Sequence, residues 1–264
     1  MAPSVRNAQI TGNGQQKSLG DQYDLVLSFD YESLNTSIET HARSLKQKLA
    51  EVGLEHNHGK VLHIVAHSMG GLVARWFIER EGGNAIANHL IMLGTPNGGS
   101  PWPTVQAWGT AALALLLNSL TTVAWPVKVL GSLVAAIETI DTTLDQIQPG
   151  SEFLKSLGAS PDPQIPYTIL AGNTSIAVDS NRLKPLMEKL MSHAVALPFF
   201  GQPNDIAATV YSIKQVPEGR SPQPLVLEIG CDHLVYFTDR EGLNALSIAI
   251  SQALSQQSIP ITAR

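Results

Sequence analysis

The stretch Val65-Ala66-His67-Ser68-Met69-Gly70-Gly71-Leu72 decides how this chain is read. Residues 60–66 before the serine are an apolar run of the kind buried in a strand, and residues 70–81 after it have helical spacing. A serine between the two stands on a tight turn, with its Oγ lifted above the carboxyl edge of a sheet. Ala66 and Gly70, two before and two after it, are small enough for strand and helix nearly to touch. The pattern is G-x-S-x-G with alanine in the first place, and one added methyl leaves that packing argument standing. A serine N-cap on an ordinary strand-to-helix turn would use the same residues. The strand–turn–helix context favours a nucleophile. The backbone N–H of Met69 opens the helix and can donate to a developing oxyanion.

Working outward, strands and helices alternate. Residues 23–29 are rich in strand formers. Residues 34–52 carry Leu34, Ile38, Ala42, Leu45 and Leu49 at helical spacing, with Gly53 as a stop. Residues 86–93 read as a third strand, closed by Gly94-Thr95-Pro96-Asn97-Gly98-Gly99-Ser100. This alternation predicts an α/β fold, a mostly parallel sheet with helices on both faces. It breaks over residues 101–163, which have helical composition and contain Trp102, Trp108 and Trp125, and which read as an insertion. A strand resumes at 166–170. A helix is expected at 183–194, a loop at 198–204, a helix at 206–214, a strand at 224–229 and an amphipathic helix at 242–256. Residues 1–20 read as a polar lead-in.

A chain of 264 residues suits one large α/β domain, residues 1–264. Hydrophobic residues make up 44% and charged residues 15%, which excludes a disordered or acidic activation segment. Net charge is −5 without a Lys/Arg cluster, which argues against nucleic acid as a partner. The single cysteine, Cys231, excludes an intrachain disulfide and any Cys-based zinc site. Residues 109–137 are the most membrane-like stretch, but polar residues and Pro126 interrupt them short of the ~18 apolar residues a spanning helix needs. The first residues lack the apolar core of a signal peptide, so a cytoplasmic location is the expectation.

A nucleophilic serine needs a base, and the base needs an orienter. Among the eight histidines, His233 follows the last strand and falls at the same sheet edge as Ser68. His193 is the rival base. His67 should point away from Oγ and pack. His63 reads as a core residue, and His41, His56 and His58 as solvated. The acid falls between serine and histidine in the chain. Asp205, 28 residues before His233, is preferred because it precedes the helix leading into the last strand; Asp179 is the alternative. Asp232 adjoins the histidine with poor geometry for orienting Nδ1. Asp141 and Asp145 belong to the insertion and read as solvated.

The stretch from Tyr23-Asp24 to Tyr31, the serine stretch 65–75, residues 90–100 with their Gly94–Ser100 loop, Asn204-Asp205 and Asp232-His233-Leu234 together resemble the α/β-hydrolase superfamily, and within it serine lipases and esterases. The similarity runs from about residue 23 to the C-terminus and looks closest to a branch with bacterial triacylglycerol lipases and inositol-deacylase-like proteins. The resemblance implies Ser68 as nucleophile, Asp205 as acid and His233 as base, with residues 101–163 as a helical lid over an acyl pocket. His67, Pro96 and Trp102 are candidate lining residues for that pocket. One departure stands out. The family's earlier strands, and the His-Gly-type segment that donates a second oxyanion N–H, have no counterpart in residues 1–22. Either the sheet is reduced at its N-terminal side or the chain is a fragment of a longer one with other domains.

Two functional readings follow. One is a serine hydrolase cleaving esters of lipophilic acyl groups, touching a lipid surface through the lid; an acyltransferase or amidase would use the same residues. The other is an impaired hydrolase-like binding module of a larger protein. No cofactor and no metal are expected: His and Asp residues lack ligand spacing, and Gly12-Asn13-Gly14 follows no convincing strand and lacks the third glycine of a dinucleotide loop.

Overall fold

The computed structural model describes residues 9–12, 15–18, 20–31, 36–100, 145–177 and 202–256. Its centre is a sheet of β3 (His63–His67), β4 (His89–Leu93), β5 (Tyr167–Gly172) and β6 (Leu225–Ile229), in that spatial order and parallel throughout. Five described helices accompany it: α1 (Ile38–Glu51), α2 (Met69–Arg80), α3 (Glu152–Gly158), α4 (Val210–Lys214) and α5 (Arg240–Gln256).

Both faces of the sheet are covered, and the pleat explains how. Alternate residues of a strand point to opposite faces. Leu90, Met92, Ile169 and Ala171 join one core with α1, α2, α3 and α4, whereas Ile91, Leu93, Leu170 and Ile229 join a second with α5. β4 and β5 are buried at every position, so they read as continuous apolar runs rather than as alternation. The α5 stripe, Ala245, Leu246, Ala249, Ile250 and Ala253, recurs at three and one, one face of a 3.6-residue helix. α1 starts at Ser37, whose hydroxyl accepts the Thr40 N–H, and residue Gly53 beyond its end takes φ +75°, a conformation glycine adopts without strain.

Several expectations need correction. Residues 23–29 form no strand. Strand formers become a strand only by pairing, and no described strand lies on the outer edge of β3. Leu25, Val26 and Leu27 stay exposed, while Tyr23 is pinned to β3 by a 2.7 Å hydrogen bond between its hydroxyl and His63 Nδ1. The polar lead-in contains a hairpin, β1 (Gln9–Gly12) paired antiparallel with β2 (Gln15–Ser18). Its signal is Asn13-Gly14, a dipeptide suited to tight hairpin turns; hydrophobic alternation is missing. β3 starts at His63 rather than residue 60, and β4 at His89 rather than 86. A short 3-10 turn at Gly83–Ala85 takes the amides of Ile86 and Ala87 onto the Gly83 carbonyl, and those two residues are thereby lost to the ladder. α4 begins at Val210, not 206, because the Asp205 carboxylate captures the amides of Ala207 and Ala208 and turns the chain first. His41 is not solvated; it shares the inner face of α1 with Ile38, Ala42 and Leu49 and lies against Tyr31.

Residues 101–144 of the expected insertion and the helix expected at 183–194 lie outside the described residues, as do Asp141, Asp179, His193, Trp102, Trp108 and Trp125. Among the described residues, no helix is long and apolar enough to cross a membrane.

Candidate active site

Ser68 stands between β3 and α2 with φ 53° and ψ −132°. This is a rare conformation for a residue with a β-carbon, worth about 1–3 kcal/mol of strain held by its surroundings. Its amide continues the ladder by donating to the Leu93 carbonyl (2.9 Å), and its carbonyl accepts from Gly71 N (3.0 Å). The turn can be this tight because Gly71 lacks a side chain: a β-carbon there would lie 1.9 Å from Thr95 Oγ1. Met69 is the first residue of α2, and its N–H has no partner within the helix.

Asp205 and His233 meet Ser68 at the carboxyl edge of the sheet. Ser68 Oγ lies 2.8 Å from His233 Nε2, and His233 Nδ1 lies 2.7 Å from Asp205 Oδ2. A carboxylate only accepts, so Nδ1 carries the proton and Nε2 accepts from the serine hydroxyl. Asp205 is fully buried and its two oxygens take four hydrogen bonds. Oδ2 accepts from His233 and from the Tyr236 hydroxyl (3.0 Å); Oδ1 accepts from the amides of Ala207 (2.9 Å) and Ala208 (2.8 Å). The backbones are joined as well, His233 N donating to the Asp205 carbonyl at 2.7 Å. The acid's own turn is strained, since Ile206 has φ 75°.

Gly94 makes room for this cluster. It follows β4 with φ +58°, and a β-carbon on it would lie 2.7 Å from Asp205 Oδ2, 2.7 Å from the Tyr236 ring and 2.9 Å from His233 Nδ1. The Gly94–Ser100 loop is tied across to the acid's neighbourhood: Gly98 N donates to the Ser212 carbonyl, Asn97 Nδ2 to that of Ile213, and Ser100 Oγ to that of Ala207. Pro96 is buried in this loop.

Tyr236 is a site residue that sequence reasoning missed. Its hydroxyl donates to Asp205 and accepts from Gly172 N at 2.6 Å. Burial, then the Asp205 charge, raises its pKa well above the ordinary phenol range, so it stays a donor. No local pattern marks it; position three after His233 is the nearest thing to a signal. His67 places Nε2 2.9 Å from the His233 carbonyl, with its ring 4.7 Å from the His233 ring and against Tyr236 and Phe237. Burial, reinforced by the neighbouring His233, lowers its pKa to about 4. Asp232 does not reach the imidazole; its Oδ1 accepts from Leu234 N, and burial raises its pKa. His63 caps the amino end of β3 beside His89, far along the strand from the serine. No group of three or more metal-ligating side chains occurs among the described residues.

A parallel sheet with helices on both faces, and a serine elbow facing a histidine beyond the last strand, has the α/β-hydrolase fold. The chain belongs to the family of the Domain of unknown function DUF7379, whose model matches residues 8–250. No curated protein matches it. Among solved structures it is similar to the propeptide form of the Bacillus licheniformis lipase BlEst2, at 20% identity and a TM-score of 0.50, covering 87% of this chain and 42% of that one. The mature form of that lipase gives 21%, 0.49, 83% and 75%. The metagenomic carboxyl esterase MGS0156 gives 16% identity and a TM-score of 0.51, over 85% of this chain and 64% of the esterase. At these identities the likeness is one of fold.

Proposed function

We propose that this protein is a serine hydrolase that cleaves carboxylic esters of lipophilic acyl groups. The observation that carries the reading is the unbroken hydrogen-bond line from Ser68 Oγ through His233 to buried Asp205. In this reading Ser68 attacks the ester carbonyl while Nε2 of His233 takes its proton. The new C–O bond pushes the carbonyl electrons onto oxygen, and the Met69 N–H stabilises that oxyanion. The imidazolium is held by Asp205, which is itself oriented by its other three donors. His233 then returns the proton to the leaving alcohol as the C–O bond to it breaks. Water, deprotonated by the same nitrogen, releases the acid from the acyl-enzyme. The preference for esters rests on the lipase and esterase neighbours in fold, and that for lipophilic acyl groups on the apolar composition of residues 101–163.

The test is a fluorophosphonate probe together with a series of p-nitrophenyl esters. Labelling of wild type but not of Ser68→Ala, with turnover that rises from acetyl to medium-chain esters, supports the reading. A wild type that does not label, or a variant that labels equally, sinks it.

A further inference from the structure

His67 sits one residue before the serine, yet its ring is turned toward the histidine loop. The hydrogen bonds that residues 230–237 make among the described residues show why this matters. His233 N and the Tyr236 hydroxyl bind Asp205; Gly172 N binds Tyr236; Leu234 and Val235 bind Asp232 within the loop. The bonds to Asp205 and to Gly172 fix the base relative to the acid and to β5, and those to Asp232 only brace the loop internally. Only two bonds connect the loop to the strand that carries the serine. One is the reactive contact itself, Ser68 Oγ to His233 Nε2, which must break during turnover. The other is His67 to the His233 carbonyl.

We propose that His67 is a positioning residue, whose Nε2–H, donated to the His233 backbone carbonyl, holds the imidazole of His233 in register with Ser68 while the reactive contact between them is broken and remade. The assignment rests on the reading of Ser68 and His233 given above. A carbonyl only accepts, so the bond requires the tautomer with its proton on Nε2. Burial keeps that ring neutral down to a pKa of about 4, and a neutral ring adds no charge beside His233 when it becomes imidazolium. The ring's edge contacts with Tyr236 and Phe237 clamp its orientation.

Two measurements test this. In wild type at pH 7, long-range proton–nitrogen spectra should show His67 protonated on Nε2; a proton on Nδ1 alone, or a cation, overturns the assignment. In variants, His67→Phe keeps the ring packing and loses the donor, and His67→Gln restores a donor near the Nε2 position. His67→Phe should lower kcat and the phosphonylation rate of Ser68 roughly three- to ten-fold, the worth of one net hydrogen bond. KM should stay within two-fold, and His67→Gln should recover most of the loss. Unchanged turnover in His67→Phe, or no recovery in His67→Gln, overturns it. A wild type that is not phosphonylated at all removes the parent reading instead, and the tautomer measurement still tests the bond.

Discussion

Two buried polar clusters in this molecule use similar groups to opposite ends. In the first, Glu79 on α2 lies wholly buried between two guanidinium groups. Its Oε1 accepts from Arg75 Nε (2.9 Å) and from the Tyr167 hydroxyl (3.0 Å), and its Oε2 from Arg220 Nη2 (2.7 Å). Arg75 also reaches Asn97, and Arg220 the Pro161 carbonyl. Arg220 also pairs with the partly exposed Asp162 at 3.9 Å, and its Nε has no hydrogen-bond partner among the described residues; the set joins α2, β5, the Gly94–Ser100 loop and the segment before β6. In the second, Asp205 is equally buried and equally saturated, but its chain of donors runs outward to a hydroxyl that is only partly buried. Under the proposed function, the difference separates a buried carboxylate that is structural from one that serves chemistry. One ends on fixed cations; the other ends on a group that can change its proton.

This contrast can be broken experimentally. The largest effect expected is on turnover: Ser68→Ala should lower ester hydrolysis roughly 10⁴–10⁶-fold, with thermal unfolding almost unchanged. Asp205→Asn comes next. It keeps the acceptor for Ala207 and Ala208 but disfavours the reactive tautomer, and kcat should fall roughly 10³–10⁴-fold. In the other cluster, Glu79→Gln removes the carboxylate from buried Arg75 and leaves Arg220 only the longer pair with Asp162. Urea unfolding should show a loss of about 3–5 kcal/mol, while kcat per folded molecule stays within a few-fold. A Glu79 variant that is stable but inactive would erase the distinction between the two clusters.

Smaller effects sharpen it. Tyr236→Phe removes a donor from Asp205 and leaves the buried Gly172 N–H without its acceptor. Stability should drop about 1–3 kcal/mol, measured by denaturant titration, with activity reduced several-fold. Acid should act through the buried histidines. His67 and His89 both have pKa lowered to about 4, each by burial first. The unfolded chain binds these protons near pH 6.5, before the native state does. Stability is therefore unaffected by them above that value and falls as pH drops from about 6.5 to about 4. Unfolding midpoints across this window should decline, and His89→Gln should flatten the slope without altering kcat at pH 7.

Much of the fold was legible because its signals are local. The apolar run before Ser68, the small residues around it and the continuous burial of β4 and β5 follow from contacts within a few residues. The chain order of serine, acid and histidine pointed to the three groups that the structure brings together. Residues 23–29 misled because their composition is that of a strand, and only a neighbour across β3 could have made them one. In the sequence, Asp205 stands out from Asp179 only by preceding a helix. What distinguishes it in three dimensions is its four donors, which come from residues 207, 208, 233 and 236. His41 shares the period of Ile38, Ala42 and Leu49, so its burial follows from its place on the helix face in spite of its polarity. Arg75 and Glu79 stood four apart on a predicted helix, a spacing typical of exposed pairs, and their burial follows from Arg220, 141 residues away from Glu79.

Taken alone, the order of residues determined the elbow at Ser68, the parallel α/β plan and the two faces of its helices. These depend on short-range sterics and on the periods of helix and strand, which a linear pattern records. Tertiary structure alone decided that Tyr236 and His67 attend the histidine loop, that Gly94 must have no side chain, and that a glutamate and two arginines share the interior. Those outcomes depend on which groups remote in the chain arrive at the same point, where a hydrogen bond holds only within about 3 Å.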